Sequence, residues 1–231
     1  VDYLFRESCL AAGGKVVLFP AKLKDGWIDL SDLESYITPR TRMIGLCNPH
    51  NPYGVSYRKE DLEHIMALCE KYNLYIMNDE IWSDIILEGH KHIPTQSISE
   101  DARMRTVAVY APSKTFNLAG MQTSSVIIKN EEARARFYAN QKKLEINPKC
   151  SILGYEATRL AYEKCGGWHD QCLDVIYRNY RTCVDFFAKE LPQVRPIHME
   201  GTYLLWVDFR CLRLSNDELE AFMKEEAGLY L

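Results

Sequence analysis

Two short runs, LYIMN (residues 74–78) and TVAVY (residues 106–110), are apolar on both alternating faces. A strand built this way cannot lie on a surface, because one face would leave a stripe of hydrocarbon in water. It has to be covered on both sides, which is the situation of a parallel sheet flanked by helices. The neighbouring segments fit that requirement. Residues 43–47 (MIGLC) read as a preceding strand and residues 124–129 (SSVIIK) as a following one, with residues 15–19 (KVVLF) as an earlier strand. Between them, residues 58–72 place Leu62, Ile65, Met66 and Cys69 at i, i+3, i+4 and i+7, so a helix is expected there, stopped by Asn73 in the left-handed conformation. A shorter helix is expected over residues 30–36, capped by Asp29 or Ser31.

From Glu131 onward helical patterns dominate. Residues 150–164 and 168–191 are long amphipathic stretches broken at Gly166-Gly167, and residues 203–209 (YLLWVDF) read as a strand outside the earlier alternation. The expected architecture is α/β: a three-layer αβα large domain with a mostly parallel sheet over residues 1–165, then the start of a smaller α+β region over residues 166–231.

A chain of 231 residues that is 47% hydrophobic is long enough to bury a sizeable core. With 28 basic against 32 acidic residues, a net charge of −4 and no basic stripe, neither nucleic acid nor an anionic membrane is an expected partner. No apolar stretch approaches the roughly 20 residues that span a bilayer, and no signal-peptide pattern opens the chain. The eight cysteines never form Cys-x-x-Cys and several fall inside apolar patterns, so they read as reduced core residues of a cytoplasmic protein. His90 and His92 form one close pair in a polar segment with no third ligand beside it. They read as a solvated turn, and no metal site is expected.

In open parallel sheets ligands bind just past the carboxyl ends of the strands. Three segments qualify here: 48–54 after MIGLC, Asp79-Glu80 after LYIMN, and 111–114 (APSK) after TVAVY. Together they gather an amide, a carboxylate, a hydroxyl and a primary amine. Each alone is commonplace, since a strand-terminal Asp, an exposed Ser-Lys and an Asn-Pro turn are all usually structural. Ser-x-x-Lys nucleophile chemistry is excluded because position 111 is alanine, and there is no Walker A loop.

The segments NPHNPYG (48–54), NDEIW (78–82) and APSKTFNLAGMQ (111–122), in this order and spacing, resemble the large domain of the fold-type I pyridoxal-phosphate (PLP) enzymes, the class I/II aminotransferase superfamily. The branch resembled most is the cystathionine β-lyase or cysteine C–S lyase group, on the strength of SDIILEGHKHIP (83–94) and of Gln122, where aminotransferases usually carry arginine. DGWIDLSDLE (25–34) and EGTYLLWVDF (200–209) extend the resemblance over nearly the whole chain.

The resemblance implies roles. Lys114 would condense with the aldehyde of PLP and then act as the base at the substrate Cα, a task for which a primary amine is suited. Asp79 would face the pyridine nitrogen and keep it protonated, so that the ring withdraws electrons. Asn51 would donate to the phenolic oxygen and Ser113 to the phosphate, with Trp82 and Gln122 also lining the cofactor. Asn48, Glu80 and Thr115 are expected to be turn and supporting residues. Trp82 departs from the pattern: aminotransferases usually have tyrosine there and the lyase branch often histidine, and an indole donates but cannot titrate near neutrality. Ala111 stands where many relatives place a serine, and Gln122 lacks the usual positive charge.

Three functions follow as expectations. The first is a PLP-dependent C–S β-lyase that eliminates a thiol from cystathionine- or cysteine-type substrates to give pyruvate and ammonia. The others are an aminotransferase of the same fold and a non-catalytic protein that keeps the pocket for contacts with partners. A homodimer acting on a small amino acid is implied by resemblance. The chain opens on Val1 and closes on Leu231 directly after a helical pattern, so truncation at both ends is expected, with part of the phosphate cradle and the substrate-carboxylate arginine lying outside. The turn itself carries a further expectation, a cis bond at Asn51-Pro52.

Overall fold

The computed structural model describes residues 3–145 and 150–230; Val1 and Leu231 lie outside them. After α1 (Tyr3–Ala11), a hairpin joins β1 (Leu23–Lys24) to β2 (Trp27–Ile28). Asp25 and Gly26 both take positive φ at its tip, which suits a two-residue hairpin turn. The central unit then runs β3 (Met43–Cys47), α2 (Lys59–Tyr72), β4 (Tyr75–Asp79), α3 (Glu100–Arg105), β5 (Thr106–Tyr110), α4 (Pro112–Thr115) and β6 (Ser125–Ile128). These four strands form one sheet in the order β3-β4-β5-β6. The first three are parallel and β6 is antiparallel to β5, so the sheet is mostly parallel as the doubly apolar runs require.

The helix expected over residues 58–72 forms. Arg58 is its N-cap, with its backbone N–H donating to Asp61, and Asn73 ends it at φ 51°, ψ 54°. Its apolar stripe of Leu62, Ile65 and Cys69 is fully buried against Leu46 and Ile76 of the sheet and Leu30 and Leu33 of the preceding turn. On the opposite face, Met43 and Tyr75 at the starts of β3 and β4 stay exposed, as does Val126 of β6 near the other end of the sheet.

Four sequence expectations change. Residues 15–19 form no strand: Val17 and Leu18 are exposed and no described strand offers a ladder, so the β-prone run has nothing to pair with. The helix at 30–36 shrinks to a single 3-10 turn, Leu33–Tyr36, because the Asp29 carboxylate accepts from the Ser31 N–H and holds the chain in a turn just ahead. The run 203–209 shortens to β8 (Val207–Asp208), paired with β7 (Arg195–Pro196), because Thr202 adopts φ 67° and breaks the extended chain. Finally, α5 (Glu131–Lys143) is followed by α6 (Ile152–Lys164) and α7 (Gly166–Glu190), which divide at Cys165 rather than at the two glycines. Gly166 and Gly167 sit in the first turn of α7, where amide groups have no helical acceptor to lose. A final short α8 (Asn216–Ala221) opens on a Ser215 capping box.

Of the eight cysteines none is in a disulfide, but only Cys47 and Cys69 are buried; Cys150, Cys183 and Cys211 are exposed.

Candidate active site

The sheet register sets the site. Cys47 pairs with Asp79, and Asp79 with Val109, so the last residues of β3 and β4 stand abreast of the next-to-last residue of β5. Their continuations are pinned together as well: the Asn48 N–H donates to the Asp79 carbonyl at 2.9 Å, and the Glu80 N–H to the Val109 carbonyl at 2.9 Å. The three segments singled out in the sequence therefore leave one edge of one sheet.

The turn at 48–54 is stiffened from both sides. The Asn48-Pro49 and Asn51-Pro52 bonds are both cis. Asn48 is fully buried and locked, its amide donating to the Ile93 carbonyl and its Oδ1 accepting from the Tyr57 N–H. His50 is buried and stacked on Tyr53, and burial pulls its pKa down to about 4, so the imidazole is neutral in the fold. By contrast the Asn51 side chain is half-buried and makes no hydrogen bond among the described residues. Its donors are available to a ligand.

Gly54 closes the turn at φ 68°, with its carbonyl accepting from the N–H groups of Glu200 and Gly201. A Cβ there would meet Met199 Cγ at 2.8 Å and the Gly201 carbonyl oxygen at 2.9 Å. Gly54→Ala is expected to cost about 2–3 kcal/mol, from left-handed strain plus overpacking. Gly89 has φ 85° and open space around it, so Gly89→Ala isolates the strain term and should cost about 1 kcal/mol. Urea unfolding of both variants checks the difference; equal losses would remove the packing role.

Asp79 and Glu80 are adjacent acids with opposite surroundings, as alternation along an extended chain demands. Asp79 lies at the strand end beside Cys47, its Oδ1 accepting from the Ile81 N–H at 3.0 Å. Glu80 is fully buried on the other side and accepts from four groups: the Asn78 amide at 2.7 Å, the Thr95 N–H at 3.0 Å, His92 Nε2 at 3.0 Å and the Tyr110 hydroxyl. Burial, then the bond to Glu80, drives the Tyr110 pKa up, so the phenol stays protonated as the donor. His92 is thus not in a solvated turn: its side chain is only 8% exposed and braces the carboxylate. The isolated polar look of GHKH hid this, because its partner lies twelve residues away, just past the end of β4.

Lys114 enters on α4, which begins at Ala111 as N-cap with Pro112 first, a position where proline's missing N–H costs nothing. Its Nζ sits 5.3 Å above the ring centroid of Trp82, within cation–π range. Trp82 is buried with Cys47 and Ile85, packed by Leu173, Ile176 and Leu204, and meets Tyr203 edge-on at 4.7 Å. The next residue, Thr115, donates to Asp84 Oδ2 at 2.9 Å, and the same oxygen takes the Tyr162 hydroxyl at 2.9 Å. This clamp ties α4 to the β4 exit loop and to α6. Sequence reasoning missed it because the three residues are far apart in the chain. Ser113 is half-buried beside Lys114, whereas Gln122 is exposed in the left-handed conformation, and no hydrogen bond or ring contact joins it to Asn51 or Lys114 among the described residues.

What the edge offers is a primary amine over an aromatic ring, a strand-end carboxylate, an unpaired amide and a hydroxyl at the first turn of a helix. Known proteins share this frame. The model of the family described as aminotransferase class I and II matches residues 4–231. Cystathionine beta-lyase PatB of Bacillus subtilis (strain 168) is 37% identical over 222 residues, 95% of this chain and 57% of its own. Cystalysin from Treponema denticola, a structure that contains a pyridoxal 5′-phosphate cofactor, superposes with TM-score 0.93 at 36% identity, covering 100% of this chain and 59% of that one. The PLP-bound C-S lyase from Staphylococcus hominis does so with TM-score 0.85 at 27% identity, covering 97% and 57%. The chain spans a little over half the length of these relatives. With nearly every residue inside the matched region, the chain belongs to the aminotransferase class I and II family.

Proposed function

We propose that this chain carries the lysine-bearing half of a PLP-dependent C–S β-lyase. The observation that supports it most is the placement of Lys114 Nζ over Trp82, on the loop that follows Asp79 by three residues. The donor set fits the cofactor: an amine for an aldehyde, a carboxylate for a pyridinium nitrogen, and the Asn51 amide and Ser113 hydroxyl for its oxygen and phosphate groups. When bound, PLP supplies an electron sink for the carbanion formed at the substrate Cα.

The chain's own residues then have defined work. Lys114 Nζ takes the Cα proton of the amino acid, and a thiolate leaves from Cβ. Buried Trp82 keeps water from the amine's apolar side, and the indole cannot compete for the proton. The Thr115–Asp84–Tyr162 clamp fixes the last residue of α4, next to Lys114, so the amine approaches from a set direction. Asn51 is held for donation by the turn around it.

The lyase reading over the aminotransferase reading is supported by the names of PatB and the C-S lyase. Glutamate-pyruvate aminotransferase AlaA of Escherichia coli (strain K12) is also similar, 32% identical over 139 residues, 59% of this chain and 34% of its own. Release of pyruvate separates them. The intact enzyme is expected to form pyruvate from cystathionine or cysteine with no keto acid added. Turnover that depends on a keto acid would instead establish the transaminase.

A cytoplasmic homodimer completes the proposal. Ile152, Leu153 and Tyr155 at the start of α6 are 82%, 74% and 59% exposed, an apolar face suited to a second copy, and the absence of disulfides suits a reducing compartment. No described helix is long and apolar enough to cross a membrane.

A further inference from the structure

The other histidine of the GHKH segment points to a second site. His90, His198 and Glu200 bring one ligand atom each within 4.8 Å of one another, although 108 to 110 residues separate the first from the other two. We infer that these three residues form a binding site for a divalent transition ion of the zinc class, separate from the Lys114 edge.

Glu200 is the anchor. Its backbone N–H donates to the Gly54 carbonyl, its carbonyl accepts from the Leu87 N–H, and its Oε2 accepts from the Ser56 N–H at 2.9 Å. That leaves Oε1 facing His90 Nδ1 at 3.6 Å. The carboxylate is buried, and among the described residues its only ion-pair contact is with His90; Arg58 acts on it only at longer range, so no lysine or arginine sits against it. An ion supplies the missing positive charge, and two imidazoles with one carboxylate are the donors that zinc, nickel and copper prefer. His198 stands edge-on to His90 at 5.2 Å between centroids, and its Nδ1 lies 3.5 Å from the Tyr180 hydroxyl, a partner able to orient a ligating ring. Tetrahedral zinc with bonds of about 2.0–2.1 Å needs ligand atoms about 3.3 Å apart, a closure that rotation of the two partly exposed histidines can deliver. The cluster opens on a groove of about 280 Å³ lined also by Glu88, Tyr177 and Asp185, which leaves room for water in the remaining coordination position. The ion would fasten two segments: the loop after Asp79, which carries His90, and the segment after α7, which carries His198 and Glu200.

The test uses the intact protein without a polyhistidine tag, stripped with EDTA and titrated with zinc chloride by calorimetry. One equivalent is expected to bind and to raise Tm by roughly 5 °C or more at saturation. His90→Ala and His198→Ala should each weaken binding at least ~10-fold while melting like the parent in EDTA, and His64→Ala, an exposed histidine elsewhere, should bind normally. Cobalt should give visible bands without the near-ultraviolet absorption of a thiolate ligand, which excludes the cysteines. Zinc heats in the parent no larger than in His198→Ala, or affinity unchanged in both histidine variants, would overturn the site.

Discussion

Replacing Lys114 by alanine should reduce β-elimination by the intact enzyme by at least ~10²–10⁴-fold, the span attributable to a positioned general base. The loss should fall on kcat more than on KM, because the amine moves its proton in the transition state while other groups bind the substrate. Stability should hardly change. Lys114 is half-buried, and its described contact is with the face of Trp82, an interaction of about 0.5–2 kcal/mol. The pattern of dead but folded is what separates a catalytic amine from a structural one. Pyruvate release and thermal melting of the same preparation check it, and activity retained within tenfold would remove Lys114 from the mechanism.

Glu80→Ala should do the reverse. Removing this carboxylate takes an acceptor from the buried Asn78 amide, which keeps Thr95, and from the buried Thr95 N–H, and leaves the partly buried His92 imidazole and Tyr110 hydroxyl without their partner. Each orphaned buried donor costs about 1–3 kcal/mol, so a total of about 4 kcal/mol or more is expected. For a chain of this size that corresponds to a Tm lower by roughly 8–16 °C. Glu80→Gln keeps the volume but turns one acceptor into a donor facing other donors, and should fall between the two. Calorimetric melting of the three proteins orders them, and a Glu80→Ala variant that melts with the parent would show the network to be solvated.

These two acids and bases illustrate how far the sequence could be read. The sheet was legible because LYIMN and TVAVY are apolar on both faces, which leaves few places for them to go. The edge that gathers Asn51, Asp79 and Lys114 followed from strand direction and from the motifs beyond each strand. Pairing was the harder inference: KVVLF has the composition of a strand, but a strand is made by its neighbour, and none of the described strands adjoins it. Tertiary polar networks were harder still. Nothing local distinguishes Glu80 from Asp79, and His92 looked solvated until the fold carried it onto Glu80. Likewise Thr115, Asp84 and Tyr162 carry no shared pattern, and nothing in the motif announced that Gln122 is exposed in the left-handed conformation. Periodicity reports which face is buried, whereas a hydrogen-bond partner is chosen by the whole fold.

Lys114 is proposed as the residue that holds the cofactor. Borohydride reduction of the intact enzyme with PLP bound, followed by proteolysis and mass spectrometry, locates the attachment directly. One phosphopyridoxyl group is expected, on Lys114. The same group on another lysine, or on none, would contradict it.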